Sequence, residues 1–251
     1  MLIAQISDTH ISVDLPEGAR RLADLRRAVA AINALEQQPD AVIHTGDLAN
    51  RGGDEEYDAA KSVLDGLRAP FYPVPGNRDR REGLRERFIR WPCLDDGEPF
   101  VQYAVDDLPV RLLGIDSQSG TSQKGDYCES RAAALASALA AQPDRPTVVF
   151  MHHPPFEVEG DPRSFQYVSR EAMARVAATL RSGTRVARVL CGHAHRAREV
   201  VINGILASTV PSLAVDLREG DDPRQPSDAP RFQLHRYDPS RGFTTVGVEA
   251  A

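Results

Sequence analysis

Cysteine is scarce in this 251-residue sequence: the three present, Cys93, Cys128 and Cys191, lie far apart and form no CxxC pair. An odd, scattered set excludes a disulfide framework and a thiolate zinc site, and it predicts reduced, mostly buried thiols. Long apolar runs are missing too. Ala132 to Gln142, among the longest stretches free of charge and proline, is alanine-rich and falls well short of the about 20 residues that a membrane helix needs. The N-terminus shows no basic region, apolar core or small-residue cleavage site, so the expected location is cytoplasmic, with no membrane partner.

An excess of positive charge is also absent, since 30 basic against 36 acidic side chains leave a net charge of −6. No overall field draws in a nucleic-acid backbone, and no basic stripe with interleaved aromatics runs through a chain that is only 6% aromatic. An extended nucleic acid is therefore not an expected partner. Lysine is confined to Lys61 and Lys124, a bias without functional weight of its own. With 41% hydrophobic and 26% charged residues, disorder is excluded for the chain as a whole, and its length suits a single domain.

Short β-rich runs alternate with helical patterns, as in an α/β fold. Leu2 to Ser7, Ala41 to His44, Phe71 to Val74, Thr147 to Met151 and Arg185 to Cys191 read as strands, and Phe100 to Val105 with Val110 to Ile115 as a hairpin. Glu199 to Ile202 and Ile205 to Ser208 continue the strands, and Phe232 to Tyr237 with Phe243 to Val248 form a last hairpin. The spacing predicts helices over Gly18 to Gln37, Asp54 to Leu67, Arg80 to Arg90, Ser130 to Ala141 and Ser169 to Leu180. Glu157 to Phe165 and the Pro-rich stretch Arg218 to Arg231 look irregular, and either could act as a lid or an oligomer contact.

The polar residues suited to metals fall just after predicted strands, five times over. The clusters are Asp8-Thr9-His10, Gly46-Asp47, Gly76-Asn77, His152-His153 and Gly192-His193-Ala194-His195. In an open α/β sheet the carboxyl ends of strands border the ligand crevice, so the five could meet in one place. Each i, i+2 pair, Asp8 with His10 and His193 with His195, would point to one side of an extended segment. Imidazole, carboxylate and amide ligands suit Zn²⁺, Fe, Mn²⁺ or Co²⁺. Seven candidates, Asp8, His10, Asp47, Asn77, His152, His193 and His195, exceed the needs of one tetrahedral ion and match two ions that share a carboxylate. Two divalent ions against two carboxylates leave local positive charge, which favours a phosphate oxyanion.

In this order these segments resemble the calcineurin-like metallophosphoesterases, and within them the class III cyclic-nucleotide phosphodiesterases of bacteria. The matching runs are Ile6-Ser7-Asp8-Thr9-His10, His44 to Asn50, Val74-Pro75-Gly76-Asn77, His152-His153-Pro154-Pro155, Gly192-His193-Ala194-His195 and Ser208 to Ser212. The resemblance implies a four-layer αββα sandwich with a catalytic core over residues 1–217. Residues 218–251 would then be a Pro-rich excursion and C-terminal hairpin, either part of the same domain or a contact in a homo-oligomer.

It further implies that Asp8, His10 and His195 hold one metal, that Asn77, His152 and His193 hold a second, and that Asp47 bridges them. The implied activity is hydrolysis of a small phosphodiester, a cyclic nucleotide above all, by metal-activated hydroxide. A phosphomonoesterase or nucleotide pyrophosphatase on the same centre is the alternative, and a degenerate metal-binding scaffold the second. One position departs from the family pattern: Gly76-Asn77-Arg78-Asp79 stands where the family carries His after Asn. Arginine stays protonated and cannot act as an acid, so Arg78 is expected to clamp the phosphate, held by Asp79. Asn77 and His153 are expected to contact substrate beside it.

Overall fold

The computed structural model describes residues 1–90, 92–94, 99–160, 165–220 and 227–250. Parts of the two irregular stretches, 161–164 and 221–226, with Pro223 and Pro226, lie outside the described residues. The N-terminal half runs β1 (Leu2–Ile6), α1 (Gly18–Asn33), β2 (Ala41–His44), α2 (Asp54–Leu64), β3 (Phe71–Pro73), α3 (Arg81–Arg87), β4 (Tyr103–Val105) and β5 (Arg111–Ile115). It continues with α4 (Glu129–Ala141), β6 (Thr147–Met151), α5 (Arg170–Ser182), β7 (Val186–Cys191), β8 (Arg198–Ile202), β9 (Ile205–Thr209), β10 (Arg231–Asp238) and β11 (Gly242–Glu249).

The strands make a five-stranded sheet in the order β11-β10-β1-β2-β3 and a six-stranded sheet in the order β4-β5-β6-β7-β9-β8. Period-two alternation inside single strands explains why the sheets stack. In β1, Ala4 and Ile6 pack with Leu25, Val29 and Ile32 of α1 and Tyr57 of α2, while Ile3 faces the other way. In β6, Val149 and Met151 pack with Leu135 of α4 and Val176 of α5, while Val148 and Phe150 join Ile3, Ile43 and Tyr72 between the sheets. The order of layers is thus helix, sheet, sheet, helix, as expected.

Several boundaries differ from the sequence reading, each for a local reason. Helix α1 stops at Asn33, not Gln37, because the Gln38 side chain donates to the carbonyls of Asn33 and Leu35. Helix α3 begins after Arg80, whose N–H donates to the Tyr57 hydroxyl and whose backbone is extended. Strand β4 begins at Tyr103, because the Val101 N–H is taken by Asp116 Oδ2. Only Cys191 among the thiols is buried; Cys93 and Cys128 are half-buried, and all three are free. The C-terminal hairpin is built into the first sheet, with β10 antiparallel to β1 in the register Leu2↔Arg236.

Between the sheets lies a polar cluster that ties β1 to β10 and β11. His235, fully buried, lies 3.0 Å from Gln5 Oε1 and 2.9 Å from the Thr245 hydroxyl, while Gln5 Nε2 donates to Thr45 Oγ1 and the Cys191 carbonyl. Burial, helped by Arg188, pushes its imidazole down from 6.5 to about 3. The unfolded chain therefore binds a proton between these values that the folded chain refuses, and stability falls as pH drops below 6.5. At about 1.4 kcal/mol per pH unit, this one residue is expected to remove about 2 kcal/mol by pH 5. Urea unfolding of the protein and of His235→Gln at pH 7 and pH 5 checks this, and equal losses in the two would refute it.

Candidate metal centre

The loops after β1, β2, β3, β6 and β7 meet at one edge of the stack, so the ligand-type residues come from the strand ends of both sheets, not from one open sheet. The first two loops run on side by side after their strands end. The Asp8, His10 and Ile11 N–H groups donate to the carbonyls of Gly46, Asp47 and Leu48 at 3.0, 3.0 and 2.9 Å. Across the stack, the Gly192 N–H reaches the His152 carbonyl at 3.1 Å, and the His193 N–H reaches Asp8 Oδ2 at 3.1 Å.

Two groups of donor atoms result. In one, His195 Nε2 lies 3.3 Å from Asp8 Oδ1 and 3.3 Å from His10 Nε2. In the other, His152 Nε2 lies 3.1 Å from Asn77 Oδ1 and 3.1 Å from His193 Nδ1. Asp47 stands between them, its Oδ2 3.6 Å from His10 Nε2 and 3.5 Å from His152 Nε2. All seven candidate ligands are brought together. Asp8, Asp47, His10 and His152 are buried beneath, while Asn77, His193 and His195 form the half-buried rim.

The chemistry of the donor set fits divalent cations. His152 Nδ1 lies 2.7 Å from the Thr45 carbonyl, His195 Nδ1 2.9 Å from the Leu217 carbonyl, and His193 Nε2 2.8 Å from Gln166 Oε1. Each of these nitrogens faces an acceptor and so carries the proton, which leaves the opposite nitrogen of each ring with a lone pair turned into the cluster. Lone pairs thus face lone pairs and carboxylates, an arrangement that calls for positive charge at its centre. The acidity of the groups says the same. Burial pushes Asp8 and Asp47 up, but the imidazoles outweigh it, His195 for Asp8 and His152 for Asp47, and both carboxyls end below their ordinary value. His152 is likewise raised to about 9 by Asp47 and Asp8, in spite of its burial.

The i, i+2 pairs converge, though not through extended backbone. Asp8, His10, Asp47, His193 and His195 all have left-handed φ, at 53°, 43°, 56°, 68° and 54°, and among the described residues Asn203 is the one other non-glycine so placed. Such conformations are uncommon for L-residues and cost of order 1 kcal/mol each, so the surrounding packing holds them. The glycines before the ligands make room for this. A Cβ on Gly76 would sit 2.2 Å from the Asp47 nitrogen, and one on Gly192 would sit 2.2 Å from Ser7 Oγ.

Two of the expected contacts are not made among the described residues, those of Asp79 with Arg78 and of His153 with the open face of the site. Asp79 does not hold Arg78: its buried carboxylate accepts from the N–H groups of Leu48, Ala49 and Gly76 at 3.1, 3.0 and 2.9 Å, and from the Tyr57 hydroxyl at 3.2 Å. It is a brace between the β2 and β3 loops. Burial and then Asp47 push it up to about 7. His153 is fully buried, with Nδ1 2.9 Å from Ser117 Oγ and Nε2 3.1 Å from the Gln123 carbonyl, and its ring packs against those of His152 and His193. Arg78 is exposed, and its backbone N–H donates to Asp47 Oδ1 at 2.7 Å, while its guanidinium has no ion-pair partner among the described residues.

Reasoning from sequence missed Gln166, Tyr57 and His44. Gln166 adjoins the irregular stretch and follows no strand, and Tyr57 lies within α2, so neither carries a local signal. His44 ends β2 and opens the His44 to Asn50 run, where its Nδ1 accepts from the Gly46 N–H at 3.2 Å. Six of the seven histidines, 10, 44, 152, 153, 193 and 195, therefore gather at this edge.

The family model described as calcineurin-like phosphoesterase matches residues 1–197. A protein named probable glycerophosphodiester phosphodiesterase, from Arcobacter nitrofigilis, is 32% identical over 98% of this chain and 92% of its own length. One named probable cyclic nucleotide phosphodiesterase, from Rhodopseudomonas palustris, is 36% identical over 72% of this chain and 66% of its own. Among solved structures, a dimetal phosphatase from Danio rerio superposes with a TM-score of 0.74 at 16% identity, covering 100% of this chain and 99% of that one, which is a likeness of fold.

Proposed function

The chain belongs to the calcineurin-like phosphoesterase family, and from that premise we propose that it hydrolyses a small phosphodiester, a cyclic nucleotide or a glycerophosphodiester, at a pair of divalent metal ions. The observation that carries the reading is the position of Asp47 Oδ2, nearly equidistant from the donor nitrogens of His10 and His152. Asp8, His10 and His195 would hold one ion, Asn77, His152 and His193 the other, with Asp47 between. When bound, the ions supply Lewis acidity and an activated water. Mn, Fe, Zn and Co all accept such ligands. No helix among the described residues is long and apolar enough to cross a membrane, and we take the setting to be cytoplasmic.

The chain's own residues orient the ester and balance its charge. Arg78 stands next to Asn77 on a rigid loop, because its N–H is spent on Asp47 and Asp79 braces both neighbouring loops. Its guanidinium is free to pair two N–H groups with phosphate oxygens. Neither Arg78 nor His153 can protonate a departing alkoxide, since the first never gives up its proton and the second has both ring nitrogens engaged.

Initial rates on bis(4-nitrophenyl) phosphate and 4-nitrophenyl phosphate test the reading. The protein is stripped of metal and reloaded in turn with Mn²⁺, Zn²⁺, Co²⁺ and Fe²⁺. Metal-dependent turnover with kcat/KM at least about tenfold higher on the diester is expected. Preference for the monoester would move the assignment to a phosphomonoesterase. Two bound metals without turnover would make the protein a scaffold.

A further inference from the structure

Beside the metal centre, with Asn77 and Arg78 in its wall, the surface opens into a cleft of about 450 Å³. Three arginines, Arg51, Arg78 and Arg80, line it, and Thr121 and Ser122 stand in the loop opposite. In a chain of net charge −6 this is a concentration of one sign in one concavity. The one carboxylate in the lining, Asp79, is turned away and saturated by the backbone donors of Leu48, Ala49 and Gly76. The three guanidiniums ride on the loops that also carry Asp47 and Asn77, and these loops touch: a Cβ on Gly52 would lie 3.1 Å from the Arg80 nitrogen and 3.2 Å from the Arg78 carbonyl.

The arginines are held loosely. Arg51 meets Asp14 at 3.5 Å, with both side chains more than 60% exposed, and Arg80 meets Asp54 at 2.5 Å, with about half of each exposed. Ion pairs so open to solvent are weak and exchange readily for a better anion. Arg78 has no ion-pair partner among the described residues. Guanidinium forks match carboxylate and phosphate geometry, which a neutral sugar or alcohol does not require. Two walls of differing chemistry, cationic on one side and hydroxyl-bearing on the other, suit a polar group that ends in an anion.

We propose that this cleft binds one alcohol portion of the substrate and selects phosphodiesters in which that alcohol bears a second anionic group, a carboxylate or a phosphomonoester. The inference rests on the phosphodiesterase reading. It narrows that reading to glycerophosphodiesters whose second alcohol bears such a group, which a cyclic nucleotide, with its one phosphate closed on a single ribose, does not offer. It makes Arg51 and Arg80 the residues that set specificity, with Arg78 between them and the reacting phosphate.

A binding comparison tests it apart from catalysis. The probes are 4-phosphonobutyrate and 4-hydroxybutylphosphonate, matched in length, not hydrolysed, and different only in ending in a carboxylate or a hydroxyl. Calorimetric titration of the metal-loaded protein should give a Kd at least about tenfold lower for the carboxylate, and the ratio should shrink as ionic strength rises. In Arg51→Ala and Arg80→Ala the ratio should fall below about threefold, while Arg51→Lys should retain part of it. A native ratio within about twofold would overturn the subsite, even if diester turnover had upheld the wider function. A native preference unchanged in both alanine variants would overturn the assignment to these residues. Lack of diester turnover, read separately with the nitrophenyl esters, would remove the catalytic premise and with it the substrate class.

Discussion

Replacing Asp47 with Asn is expected to lower kcat/KM by at least about a thousandfold, equal to about 4 kcal/mol of transition-state stabilisation. The substitution keeps an oxygen for the Arg78 N–H and hardly changes volume, so the fold should persist. What it removes is the negative charge between the two donor groups, where Asp47 Oδ2 lies within 3.6 Å of both His10 and His152. With that charge gone, each site loses its shared ligand, and bound metal should fall below two per chain. Steady-state kinetics paired with metal analysis checks this. Asp58→Asn, on the exposed face of α2 against Arg87, is the control and should stay within about twofold. Full metal occupancy with activity within tenfold of the native protein would refute a bridging role.

Asp79→Ala is expected to destabilise the protein by at least about 3 kcal/mol, because the N–H groups of Leu48, Ala49 and Gly76 and the Tyr57 hydroxyl lose their shared acceptor in a buried place. For a chain of this size that corresponds to a fall in Tm of about 6 to 12 °C. Thermal unfolding of the metal-free protein isolates the effect, since loss of bound metal cannot then contribute. Tyr57→Phe removes one of these partners and should cost about 1 kcal/mol. A change in Tm below about 2 °C for Asp79→Ala would show that water replaces the carboxylate freely and that the loops do not depend on it.

Much of the candidate site was legible because the ligand-type residues are sequence-local in a way that metal chemistry requires. Carboxylates and imidazoles directly after β1, β2, β6 and β7, each next to a strand rich in Val, Ile and Leu, could be read without coordinates. So could the order of the layers, once the resemblance had been seen. The element limits were less legible, because long-range donors decide them: Gln38 ends α1, Tyr57 sets the start of α3, and Asp116 delays β4.

Roles within the site were harder still. Arg78 and Asp79 are neighbours in sequence with opposite charge, which suggests a pair. In the fold their side chains part, the carboxylate going inward to three backbone N–H groups and the guanidinium outward to the cleft. A string of residues does not state which way a side chain turns when its backbone is committed on both sides. Gln166 shows the same limit from the other direction, since it orients His193 from a segment with no pattern of its own.

By itself, then, the sequence determined the kinds of candidate ligand, their placement after strands and the family to which they point, because strand periodicity and the side-chain chemistry of metal binding are local properties. Only the tertiary structure decided which nitrogen of each histidine faces the centre, which backbone turns left-handed to bring the pairs together, and which carboxylate turns inward to brace the loops. Those choices depend on hydrogen bonds between segments as far apart as Asp8 and His193, and such bonds exist only once the two sheets have stacked.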